Sequence, residues 1–249
     1  MVMSRVVGIV CEGPTDYEVI WRVVDLITQA ENVYHRLQPD ESLTGQFGNG
    51  WKGVWKWCER YGPILETYMR GVAPQLDFLI VHMDGDVSRR EKEVHCACET
   101  TCCELVGTVH PLHCPVCKSG KCPVDLPCVR HENDGYAPHL KQMISAWLCL
   151  SAESSPVIIT IPCDSIDTWV AVSFGDLGAQ CEAQPDPWNA IIAKGAYYHD
   201  VRMRGRKKRV SDYRAFAANI CANWGAVKKH CSQAQVFEDD VRAVHKKWA

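Results

Sequence analysis

Asp77-Phe78-Leu79-Ile80-Val81-His82-Met83-Asp84-Gly85-Asp86 is the stretch whose reading decides the fold. Five of the six residues from Phe78 to Met83 are apolar, the composition of a strand covered on both faces in a parallel sheet. Two carboxylates follow at its C-terminal end, the edge at which open α/β sheets bind ligands. Asp84 and Asp86 flank Gly85, so a chain that turns after Met83 leans both side chains toward one point, where their oxygens suit a hard cation such as Mg²⁺. A polar turn that merely closes the strand is the alternative, since Asp and Gly are common turn residues.

Upstream, Arg5 to Cys11 reads as a short β-branched strand that stops at Glu12-Gly13-Pro14-Thr15-Asp16. Thr15 and Glu18 have capping-box spacing, and Ile20, Val23, Val24 and Ile27 recur at helical intervals after them. A strand therefore leads through a tight loop into an amphipathic helix. If this strand is parallel to the one ending at Met83, Glu12 falls on the same edge as Asp84 and Asp86. Asp16 belongs to the first helical turn, where the helix dipole already favours a negative charge.

Val33 to Leu37 is a candidate second strand, followed by a glycine-rich loop, Gly45 to Gly53. That loop lacks the Lys-Ser/Thr ending of a phosphate-binding loop, and no nucleotide is assigned to it. Trp55 to Arg70 predicts a helix with Trp55, Cys58, Ile64, Leu65 and Tyr68 inward, broken or kinked at Gly62-Pro63.

Downstream of Asp86, the segment from His95 to His131 holds Cys96, Cys98, Cys102, Cys103, Cys114, Cys117, Cys122 and Cys128, with His110 and His113. Cys114-Pro115-Val116-Cys117 is a C-x-x-C knuckle, and a second pair from Cys96/Cys98 or Cys102/Cys103 would complete a tetrahedral Zn²⁺ site. Large apolar residues are scarce there, so metal would supply stability that no local core provides. A closed thiolate site is structural, since it leaves no position for substrate. Disulfides or free thiols are the alternative.

Tyr136 to Leu150 predicts another amphipathic helix. The apolar run Val157 to Ile161 is a third buried strand, and Pro162-Cys163-Asp164-Ser165-Ile166-Asp167 follows it with Asp164 as helix cap and Asp167 one turn in. This repeats the strand-loop-helix arrangement of the first segment, so Asp164 or Asp167 can also reach the shared edge. Ala183 to Trp188 reads as a linker. Beyond it, Arg202, Arg204, Arg206, Lys207, Lys208 and Arg209 form a basic run ahead of two predicted helices, Ser211 to Cys231 and Gln233 to Lys247, the second capped by Ser232. The run can neutralise phosphates along a nucleic-acid backbone, or place a lysine over a reacting phosphate.

Charge is divided along the chain. Of 27 basic and 30 acidic residues, 13 basic and only 5 acidic lie from Lys194 onward. A basic tail behind an acidic front fits a polyanion held by one part and cation-binding carboxylates supplied by the other; a solvated basic surface is the alternative. At 249 residues and 47% hydrophobic, the chain has material for a substantial core. Its apolar runs fall short of the ~18 residues that suggest a membrane span, and Met1 to Val10 runs into Glu12 with no small-residue cleavage site, so a cytoplasmic protein is expected.

Taken in order, strand-Glu12-Gly13-x-Thr15-Asp16-helix, strand-Asp84-Gly85-Asp86 and a third strand leading to Asp167-x-Trp169 resemble the TOPRIM domain, the metal-binding fold of topoisomerases, bacterial primases, ribosomal-RNA maturases and overcoming-lysogeny nucleases. The chain is most similar to small stand-alone TOPRIM proteins of bacterial defence loci, whose pattern is Glu-Gly-x-Thr-Glu/Asp, then Asp-x-Asp, then Pro followed by an acid and Trp. The resemblance covers Val6 to Phe174 with the cysteine-rich segment inserted. It implies an α/β fold, a parallel sheet with helices on both faces, and Glu12, Asp84 and Asp86 around Mg²⁺ or Mn²⁺, with Glu12 as general acid or base. Asp16 corresponds to a position used by some members for a second ion, and Asp167 stands where the defence-associated members usually carry Glu. The implied activity is phosphodiester cleavage of DNA or RNA, in antiviral defence and with a defence-system partner protein. An inactive scaffold that binds nucleic acid or a partner through its zinc segment is the other reading. The expected organisation is a catalytic domain over residues 1–182, with a zinc-binding insertion at 93–133, and a basic helical region over 183–249.

Overall fold

Four short strands, β1 (Val6–Val10), β2 (Val33–Gln38), β3 (Phe78–His82) and β4 (Val157–Thr160), pair in the order β2-β1-β3-β4, every neighbour parallel. The computed structural model describes residues 4–40, 46–87, 136–151, 156–184 and 186–247. Because alternate strand residues face opposite ways, each apolar run feeds two cores. Val7, Ile9, Phe78, Ile80 and Ile158 enter one buried cluster, whereas Val10, Leu79, Val81 and Ile161 enter the other. The protein is thus α/β, with helices packed on both faces of a parallel sheet.

On the first face lies α1 (Pro14–Thr28), which buries Val19, Ile20, Val23, Val24 and Ile27. Its start differs from the expected Thr15/Glu18 box. Gly13 is the N-cap, its N–H donates to the Asp16 carboxylate at 2.9 Å, and Pro14 opens the helix where a missing N–H costs nothing. On the second face, α2 (Trp51–Tyr61) and α3 (Leu65–Gly71) are separated by a 3₁₀ turn over Gly62–Ile64, the expected break at Gly62-Pro63. The helix begins four residues before Trp55, and Trp51, Val54 and Trp57 take the buried stripe. Ile64, expected inward, is 53% exposed, because the tighter turn rotates it out of phase with α2. Next to them lies α4 (Tyr136–Trp147), with Leu140 and Ile144 buried.

After β4 comes α5 (Ile166–Ser173), with Ser165 and not Asp164 at the N-cap position. The expected linker is partly helical: Pro187 opens α6 (Pro187–Ala193). A two-residue hairpin, β5 (Tyr197–Tyr198) with β6 (Val201–Arg202), then precedes α7 (Val210–Ala222), α8 (Trp224–His230) and α9 (Ser232–Lys247). The single helix expected over Ser211–Cys231 is therefore two. Asn223 breaks it, leaving helical backbone angles while its side-chain amide donates to Asn219 O, the competition that makes Asn a poor interior residue. The break turns Trp224 onto Trp169 of α5, ring to ring at 5.5 Å. Among the described residues no helix is long and apolar enough to cross a membrane.

Candidate active site

Because β1, β3 and β4 run parallel, the loops leaving their C-terminal ends share one rim. Glu12 follows β1, Asp84-Gly85-Asp86 follows β3, and Asp164 follows β4. Hydrogen bonds stitch the three together. Glu12 Oε1 accepts from the Asp84 N–H at 2.8 Å, the Asp86 N–H donates to Asp164 O at 2.8 Å, and the Gly50 N–H donates to Glu12 O at 2.8 Å. Gly85 is required by space. A Cβ there would stand 2.2 Å from Pro162 O and 2.6 Å from Cys163 O, inside the van der Waals limit of rigid backbone.

The carboxylates gathered here suppress one another's ionisation. Burial pushes Glu12 up to about 8, with Asp16 and Asp86 adding repulsion against the relief given by the Asp84 N–H. Asp16, 4% exposed, is raised to about 6 by burial, partly offset by Lys208. Asp84 is held well above the usual carboxylate range by burial and then by Asp16, Glu12 and Asp86. Its Oδ1 is buried with no hydrogen-bond partner. His82 Nε2 lies 3.5 Å from that oxygen, but burial, with Lys208 adding to it, lowers His82 to about 3, so this contact is not an ion pair at neutral pH.

Positive charge reaches this rim from the far end of the sequence. Lys208 Nζ lies 2.6 Å from Asp167 Oδ2, with a third of the lysine side chain still exposed. Tyr213 of α7 donates its hydroxyl to Asp167 Oδ1, and Ser165 Oγ donates to Oδ2 at 3.2 Å. Asp167 is 1% exposed, and both its oxygens are engaged. Burial works against the Lys208 ammonium, yet Asp167, Asp84 and Asp16 together hold its pKa above the usual lysine range. Of the basic run, Lys208 alone is paired to the acidic rim; Arg204, Arg206, Lys207 and Arg209 are exposed.

The rim thus brings together Glu12, Asp16, Asp84 and Asp86, with Asp167 beside them bound to Lys208. Among the described residues no group of three or more His, Cys, Asp or Glu side chains already stands in an arrangement ready to hold a metal ion. The donor set nevertheless fits a hard divalent cation: it is all oxygen, it is short of positive charge, and it contains the orphaned Asp84 Oδ1. The zinc expectation, on Cys96, Cys98, Cys102, Cys103, Cys114, Cys117, Cys122 and Cys128, lies outside the described residues. Two participants went unread in the sequence. His82 carried a signal as the one polar residue in an apolar strand, whereas Tyr213 carried none, because only the packing of α7 brings it to Asp167. Comparison with models of known families, with curated proteins and with solved structures returns no match for the chain.

Proposed function

We propose that this protein is a divalent-cation-dependent nuclease of TOPRIM type that cleaves phosphodiester bonds of DNA or RNA. The observation that carries the reading is the hydrogen bond from the Asp84 N–H to Glu12, which joins two acidic loops 72 residues apart at the carboxyl edge of a parallel sheet.

In this reading Glu12, Asp84 and Asp86 hold Mg²⁺ or Mn²⁺, with Asp16 at hand for a second ion. When bound, the ion supplies charge that offsets the carboxylates and stabilises the negative charge building on a phosphoryl oxygen. The protein's own groups do the rest. Glu12, held against the Asp84 N–H at the rim, is placed to exchange a proton with an attacking water or leaving oxygen. Lys208 offers an ammonium to a non-bridging phosphate oxygen. Asp167, fixed by Tyr213 and Ser165, holds that ammonium at the rim. The exposed Arg204, Arg206, Lys207 and Arg209 follow the substrate backbone as point charges. Zinc in the thiol-rich segment is a separate expectation, carried by the C-x-x-C spacing alone. A role in antiviral defence and a partner protein rest on the family resemblance.

The test is incubation of the purified chain with a panel of DNA and RNA, single- and double-stranded, in Mg²⁺, Mn²⁺ or EDTA. Cleavage is expected with either ion and not in EDTA, and Glu12→Gln and Asp84→Asn should each reduce it at least about 100-fold. Undiminished cleavage in both variants would reject the assignment. Binding that persists in EDTA, with no turnover under any condition, would instead identify a binding scaffold.

A further inference from the structure

Away from the acidic rim, the sulfurs of Cys181 and Cys231 lie 3.7 Å apart although 50 residues separate them in the chain. Each residue is 1% exposed. Cys181 begins a short 3₁₀ turn beyond α5, and Cys231 occupies the joint between α8 and α9. The two segments are already fastened around the sulfurs. Glu182 Oε1 accepts from the Ser232 N–H at 2.6 Å and from Ser232 Oγ at 3.1 Å, while Cys181 Sγ donates to His230 O at 3.0 Å. A third thiol is close by, Cys163 Sγ standing 3.9 Å from Ser232 Oγ.

A disulfide bond is about 2.05 Å long, so closing this pair needs an approach of roughly 1.7 Å between groups whose backbones are held together. We propose that Cys181 and Cys231 are a redox-modifiable pair, converted to an intramolecular disulfide by a small disulfide such as oxidised glutathione, which reaches these buried sulfurs when the joint between α8 and α9 opens. The Cys181 thiolate attacks one glutathione sulfur, that S–S bond breaks, and one glutathione thiolate leaves. The Cys231 thiolate then attacks the Cys181 sulfur and expels the second glutathione. The two cysteines lose two electrons and two protons, and the oxidant gains them as two thiols. Cys181 is the attacking member. A hydrogen bond from the Cys231 thiol holds its pKa below the usual range, while Cys231 is raised by the same bond.

The bond would close a loop that contains the basic run, Lys208 and Tyr213, and so fasten the segment supplying Lys208 to the body that supplies Asp167. It does not depend on the nuclease assignment, and its test reads sulfur chemistry and melting, not cleavage. The reduced full chain is incubated with oxidised glutathione, alkylated, digested and mapped by mass spectrometry. The expected result is a linked Cys181–Cys231 peptide, two hydrogens lighter than the separate pair and released by dithiothreitol. The oxidised protein should melt several degrees above the reduced one. Cys231→Ser should lose that rise and retain Cys181 as a mixed disulfide with glutathione. Recovery of both cysteines separately alkylated, or joined to other cysteines, would overturn the proposal. The wild-type map decides this even if the variant fails to fold.

Discussion

Glu12 is a carboxylic acid that folding makes harder to ionise, and this sets the sign of the protein's pH response. Below about 4.5 it is protonated in both the folded and unfolded chains, and ionisation contributes nothing. Between 4.5 and about 8 the unfolded chain releases the proton while the folded one keeps it, so stability falls as pH rises and levels off above the folded value. Asp16 adds a loss of the same sign between 3.8 and about 6. In EDTA the thermal midpoint should therefore fall from pH 5 to pH 8.5. Glu12→Gln, with no charge to suppress, should remove part of that slope and melt roughly 5 °C above wild type at pH 8. A variant that follows the wild-type curve would show that Glu12 does not titrate there. Mg²⁺ should restore stability to the wild type most strongly at high pH, where the carboxylates are ionised and no proton competes with the ion. Lys208 supplies the second prediction at this scale. Lys208→Ala should lower kcat about 100-fold with a smaller change in KM, and Lys208→Arg should recover part of it, read from steady-state cleavage of a short labelled strand.

Among the elements, the loop after β3 is held with little tolerance, since Gly85 passes against the backbone of Pro162 and Cys163. Gly85→Ala forces that contact open and should cost about 2–3 kcal/mol, measured by urea unfolding in EDTA, with loss of cleavage beyond what the lost stability explains. The strands were legible because β-branched runs bounded by Gly, Pro and acidic residues have few other outcomes. So was the shared rim, since parallel pairing puts Glu12 and Asp84 at the same edge whenever their strands are neighbours, as β1 and β3 are. The helices were read less well where one residue decides phase or continuity. The 3₁₀ turn at Gly62–Ile64 moved Ile64 outward, and Asn223 divided one expected helix into α7 and α8. Neither event changes hydrophobic periodicity enough to show in a window of residues. Lys208 was legible only as one of six cations, because its selection depends on where Asp167 and Tyr213 meet in space.

At the scale of the molecule, the basic C-terminal region and the sheet do not have separate interiors. A single buried cluster includes Val7, Ile9 and Ile80 of the sheet, Val19, Ile20 and Val23 of α1, and Tyr213, Phe216, Ile220, Phe237 and Val241 of α7 and α9. Trp169 of α5 packs between Trp224 and Phe237, at 5.5 and 6.1 Å ring to ring. A fragment ending at residue 182 would expose that face of α1 and α5 to water. Each large side chain uncovered forfeits roughly 1.5–3 kcal/mol, so five such residues lose about 7.5–15 kcal/mol, as much as the roughly 5–15 kcal/mol by which a domain of this kind is stable. The fragment 1–182 should therefore be aggregated or unfolded, judged by circular dichroism and size-exclusion chromatography beside the full chain. A soluble fragment with a cooperative melt would refute a shared core. In the full chain the same union delivers Lys208 to a rim whose first carboxylate, Glu12, lies 196 positions earlier in the sequence. Replacing Arg204, Arg206, Lys207 and Arg209 with Ser spares that core, because all four are exposed. It should leave the melting temperature within about 2 °C, since surface changes of this kind are usually within ±0.5 kcal/mol. Nucleic-acid binding should weaken, and the slope of log affinity against log salt should flatten by up to about one unit for each phosphate contact removed, measured by fluorescence anisotropy.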